Sequence, residues 1–201
     1  MDEDSLKEKL RHARRESPRH SHMFFVPQCS QAELITVEAV ARDIQVRNDN
    51  DIGEDEALRY ANAVCGSARK LYAVLAYIRR GADIRVLLDE HVTDDVLPLR
   101  RKADDQGLFA LQQRDGRPIE TLESWSEKER EKFDRVQWWM TSPFFEDKKH
   151  YELDDKTILP FIRFKAGSDI QRPIQGGYSE VYPVRIHPAH HDFWISGAEV
   201  C

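Results

Sequence analysis

With 201 residues, 40% hydrophobic and 33% charged, the chain fits one ordinary domain, or a small domain plus part of another, with a modest core and a heavily solvated surface. A net charge of −6 argues against a primary nucleic-acid binder, because phosphate recognition needs a concentrated basic face. No run of about 18 apolar residues is present, so no membrane-spanning helix is expected.

The first residues, Met1-Asp2-Glu3-Asp4, are acidic and unlike a signal or transit peptide. Cys29, Cys65 and Cys201 are widely spaced and form no CxxC pair, a pattern that suits a reducing compartment. A cytoplasmic or nuclear location is the expectation that follows.

Along the chain, residues 5–15 can form a short helix with Leu6, Leu10 and Ala13 on one face. So short a helix is marginal alone in water, and residues 1–22 are expected to be a disordered or frayed arm. Arg11, Arg14, Arg15 and Arg19 lie in this arm among acidic residues and read as a solvated face. Order is expected to begin at the apolar stretch 23–27. Leu34, Val37, Val40, Ala41 and Ile44 then fit a helix that ends before the turn-forming residues 48–53.

The strongest period runs from Leu58 through Ala61, Val64, Cys65, Ala68, Leu71, Tyr72 and Leu75 to Ile78, and predicts one long amphipathic helix. Arg79, Arg80 and Gly81 supply cations and a glycine stop at its carboxyl end. A shorter helix follows through Ile84, Leu87 and Leu88, and Thr93-Asp94-Asp95 opens a brief turn ending near Leu97-Pro98-Leu99. Residues 108–111 read as a short strand and Asp115-Gly116 as a turn. Ser126 with Glu129 is a capping-box signature, with Ser124 and Glu127 as an alternative register, opening a helix with Phe133, Val136, Trp139 and Met140 on one face and Trp138 beside it. The aromatic residues here and at Phe144-Phe145 read as a core-facing cluster.

Beyond Tyr151 the period shortens to about 2, and residues 157–164 and 180–186 read as strands. Pro183 implies an edge or a bulge in the second. His187, His190 and His191, with Asp192 and Cys201 nearby, match no tetrahedral zinc spacing and read as a polar loop after the strand. The paired aspartates at 94–95, 104–105 and 154–155 read as caps and solvated turns. An open strand edge around residues 181–186 predicts poor order or aggregation in the last 40 or so residues.

Between these strands lies Gln175-Gly176-Gly177-Tyr178-Ser179-Glu180-Val181-Tyr182. It resembles the glycine-rich loop of protein kinases, in which a side-chain-free backbone lies over nucleotide phosphates. Placing Val181 on the motif valine puts Gly176 on the second glycine and Tyr178 on the tip aromatic. Ile174 stands where the first glycine would be, and Ser179 where the third would be. The longer string from Gly176 to Trp194 is similar to the start of a kinase domain common in filamentous fungi. Residues 68–78, residues 93–99, and Gln137-Trp138-Trp139 with Pro143-Phe144 look like the helical leader that precedes such domains.

The resemblance covers residues 23–195 and implies an α+β fold: a helical leader over 23–145 and the start of a kinase-like domain over 157–201. It implies that nucleotide contacts come from Gly176, Gly177, Tyr178, Ser179 and Val181. ATP and Mg2+ are implied for the parent family of serine/threonine kinases only. The lysine of the third kinase strand, its glutamate partner, the catalytic-loop aspartate and the metal-binding aspartate have no counterpart here, so the chain alone is expected to be inactive. The alternative expectation is a non-catalytic helical module that binds a protein partner and carries a degenerate kinase remnant.

Overall fold

The computed structural model describes residues 5–18, 23–47, 52–103, 109–163, 174–175, 180–181 and 183–193. In chain order these form α1 (Leu6–Ala13), β1 (Arg15–Glu16), β2 (Phe24–Phe25), α2 (Gln28–Leu34), α3 (Val37–Arg47), α4 (Glu54–Ser67), α5 (Arg69–Ile78) and α6 (Ile84–Asp89). They continue with β3 (Arg100–Ala103), β4 (Phe109–Gln112), α7 (Glu120–Glu123), α8 (Glu127–Met140), β5 (Phe161–Ile162), β6 (Ile174–Gln175), β7 (Glu180–Val181) and β8 (Arg185–Ile186). The architecture is a helical body with four small antiparallel two-stranded ribbons, β1–β2, β3–β4, β5–β8 and β6–β7, and is α+β at that level.

Helix α5 is the centre of the body. Every residue from Leu71 to Ile78 is buried, and α1 and α8 both pack on it. A helix apolar on all sides must be enclosed on all sides, which explains the layers around it. The single helix expected over residues 58–78 is two helices, α4 and α5, broken at Ala68 with φ −139° and ψ 28°. Gly66 and Ser67 are weak helix formers just before the break. The decisive group comes from elsewhere: the Asp94 carboxylate accepts from the Lys70 N–H at 3.0 Å and the Leu71 N–H at 2.9 Å. Asp94 therefore caps the new helix start from the far side of α6, rather than only opening its own 3₁₀ turn, Asp94–Val96. The stop also differs from expectation. Arg79, at φ 69°, takes the left-handed cap, the Arg80 N–H reaches Leu75 O at 2.8 Å, and Gly81 is buried at the start of the next 3₁₀ turn.

The helix expected over residues 33–46 is likewise two, α2 and α3, parted at Ile35 and Thr36. Thr36 restarts it, its Oγ1 accepting from the Ala39 N–H at 3.2 Å. The capping box on α8 forms as the sequence predicts, with Ser126 accepting from the Glu129 N–H and the Glu129 carboxylate accepting from the Ser126 N–H. Residues 6–13 lie within the arm expected to fray. There α1 buries Leu10 fully, and Arg14 lies 4.2 Å over the Phe24 ring and donates to the Tyr77 hydroxyl at 3.2 Å. Packing supplies what a helix of two turns lacks on its own. Cys65 is a free thiol directed at Ile35 O.

Burial raises the Asp94 carboxyl above its ordinary range despite the two N–H bonds that pull it down. The oxygens matter more than the charge. Asp94→Ala is expected to lower stability by about 1–2 kcal/mol, since two helix-start N–H groups lose their acceptor. Asp94→Asn, which keeps one acceptor but turns an amide NH2 toward the other N–H, is expected to lose at least about half of that in urea unfolding; unchanged stability in both variants would contradict this assignment.

Candidate functional site

Of the residues singled out for nucleotide contact, Val181 is among the described residues. Ile174 pairs with Val181 and Gln175 with Glu180, so Val181 lies on β7. Gly176, Gly177, Tyr178 and Ser179 connect the two strands and lie outside the described residues. The two strands expected at 157–164 and 180–186 contain shorter paired segments: Phe161 with Ile186 and Ile162 with Arg185 in β5–β8, and Val181 with Ile174 and Glu180 with Gln175 in β6–β7. Eleven residues, 163–173, separate the two segments on one side and three, 182–184, on the other, with Pro183 among the three.

The β5–β8 pair is seated on the helical body by buried groups. Phe25, Trp138 and Ile158 form a small apolar cluster separate from the main core, with Ile162 and Trp139 against it. His190 is fully buried. Its Nδ1 lies 2.8 Å from Pro143 O, and its Nε2 accepts from the Gln28 N–H at 3.2 Å, at the first residue of α2. This arrangement requires a neutral ring with the proton on Nδ1. Main-chain bonds reinforce it: the Phe145 N–H donates to His190 O at 2.8 Å and the His187 N–H to Pro160 O at 2.8 Å. The rings of His187 and His190 each meet Phe25 edge-on, at 5.9 and 5.6 Å. Ser142, also buried, donates through its hydroxyl to Ile158 O at 2.7 Å.

Both ring nitrogens of His190 are thus engaged within the protein. Among the described residues, no group of three or more His, Cys, Asp or Glu side chains is placed to hold a metal ion. The post-strand loop expected at 187–191 is a 3₁₀ turn, Pro188–His190, that plugs into the body rather than trailing from it.

A second concave feature lies beside the other end of the Trp138 region. A cleft of about 550 Å3 is lined by the mostly buried Pro98, Leu99 and Trp138 at its floor and by Arg100, Arg101, Arg114, Glu152, Asp154 and Lys156 around them. Leu99 is held at its floor by Gln137, whose Oε1 accepts from the Leu99 N–H at 2.7 Å while its Nε2 donates to Leu99 O at 3.1 Å. Asp134, nearly buried, accepts from Arg101 at 2.6 Å and from the Gln137 amide at 3.0 Å. Neither β3 nor this cleft was expected, because Arg100-Arg101-Lys102 carries no apolar alternation.

No helix among the described residues is long and apolar enough to cross a membrane. Compared with known proteins, the chain matches no family model, no curated protein and no solved structure.

Burial pushes the His190 pKa down to about 4 and lowers that of His187 as well, with Arg15 and Arg185 adding to the latter. The unfolded chain therefore binds protons that the folded chain refuses between pH 6.5 and about 4. Stability is full above pH 6.5 and is expected to fall by about 3 kcal/mol from His190 as the pH drops through that window. Asp94 acts in the opposite sense at the acid end, so the informative measurement is a comparison. Urea unfolding of His190→Gln across pH 7 to 4 should show a clearly shallower loss than the native chain; parallel curves would contradict the buried neutral assignment.

Proposed function

We propose that this chain is the N-terminal portion of a serine/threonine kinase-like protein, in which the helical body seats the base of a glycine-rich hairpin. The observation that carries the reading is the β6–β7 pairing. Ile174 opposite Val181 and Gln175 opposite Glu180 bracket residues 176–179, the strand–loop–strand context that a phosphate-covering loop requires. Gly176 and Gly177 would offer main-chain N–H groups to nucleotide phosphates, Tyr178 and Ser179 would lie at the tip, and Val181 would cover one face of adenine. ATP with Mg2+ belongs to the parent activity.

Phosphoryl transfer is almost wholly positioning and charge stabilisation, supplied by a lysine–glutamate pair and two aspartates of known motifs. Those motifs are not found in these 201 residues, so on this reading the chain contributes a loop and its support without chemistry of its own. The helical body has its own large apolar core, drawn from α1 through α8, apart from the small cluster at the hairpin base. That separation supports a second reading, a helical protein-interaction module with a remnant hairpin.

The genomic sequence that follows the codon for Cys201 separates the two. An in-frame lysine in a following strand and an HRD-type loop are the expected finding, and the lack of both would favour the interaction module. A titration of the chain with Mg-ATP is expected to give an affinity weaker than about 1 mM, or roughly 4 kcal/mol of binding free energy at most. Tighter binding that is lost in Gly176→Trp would contradict the assignment of a loop without partners.

A further inference from the structure

We propose that the cleft beside Trp138 is a binding site for a small phosphate monoester, held by Arg100 and Arg114 over an apolar floor. Its volume of about 550 Å3 lies in the range of small-molecule sites. The cations that line it are not equivalent. Arg101 is committed to Asp134 at 2.6 Å, and Lys156 lies 4.0 Å from the same carboxylate. Arg100 and Arg114 are exposed and have no ion-pair partner among the described residues, yet they open onto the same cleft. Arg100, Arg101, Arg114 and Lys156 outnumber Glu152 and Asp154 in the lining, so the cleft carries an excess of positive charge that a dianion offsets. The planar fork of each matches phosphate oxygens in pairs.

The rest of the lining narrows the class. Pro98, Leu99 and Trp138 present an apolar floor that a bare inorganic ion cannot use. Glu152 and Asp154 in the same lining repel a long polyanion and can accept from hydroxyl groups. Those features fit one phosphate attached to a compact organic body. The floor is also built firmly, since Leu99 is clamped through both main-chain polar groups by buried Gln137. None of the lining residues belongs to the 174–186 hairpin, so this site stands apart from the kinase-like reading.

Isothermal titration of the full chain with phenyl phosphate and with inorganic phosphate tests the assignment. Phenyl phosphate is expected to bind saturably and more tightly than inorganic phosphate. Arg100→Ala combined with Arg114→Ala should weaken it by about tenfold or more with an unchanged melting temperature, as two charge-assisted contacts are lost. Arg100→Lys with Arg114→Lys should weaken it partially, because the charge remains and the fork does not. Lack of saturation up to about 10 mM, a level far weaker than two such contacts would give, overturns the site. Equal affinity for the two probes, or undiminished binding by either double variant, overturns it as well.

Discussion

Gln137 projects from α8 into the interior with no exposed surface and makes both main-chain hydrogen bonds of Leu99, as a neighbouring strand would. Its amide also reaches Asp134, which in turn holds Arg101. A buried amide without partners would cost about 1–3 kcal/mol, so this residue either finds the 97–99 connection or opposes folding. The constraint holds the residue that directly precedes β3. It also places the floor of the cleft against α8.

The same device recurs wherever irregular backbone meets the helical body. Gln31, also buried, donates to Val26 O at 2.9 Å and Met140 O at 3.1 Å, joining the start of α2 to the end of α8. Asp94 caps α5, and His190 bridges Pro143 O and the Gln28 N–H. Each supplies main-chain groups that no regular element satisfies, in accord with the near-complete pairing of buried backbone polar groups. The β5–β8 pair is held in this way as well as by the Phe25–Trp138–Ile158 cluster. Function, in the reading advanced above, depends on that seat: a phosphate-covering loop is useful only if its strands are held at a fixed place.

Local chemistry was legible where it was self-contained. The Ser126–Glu129 box needs only four residues, and the Asp115-Gly116 turn needs only a glycine that can take φ 91°. The run of apolar residues from 58 to 78 hid its own break, because the period continues across Ala68 and the group that ends it lies 23 residues away from Leu71 at Asp94. The polar strand β3 gave no alternating pattern and exists through its pairing with β4 and the Gln137 clamp. Gln137 itself left a readable sign. It lies four residues after Phe133 and three before Met140, on the buried face, where a polar side chain must have partners. His190 left less, since its partners Pro143 and Gln28 are 47 and 162 residues away.

Native-state amide hydrogen exchange tests the central claim, that buried side chains hold these irregular segments as firmly as the helices they adjoin. The account predicts that the Leu99, Gln28 and Phe145 amides exchange as slowly as those of α5, since each opens only when the body opens. Exchange at those three amides at loop-like rates, while α5 stays protected, would contradict it.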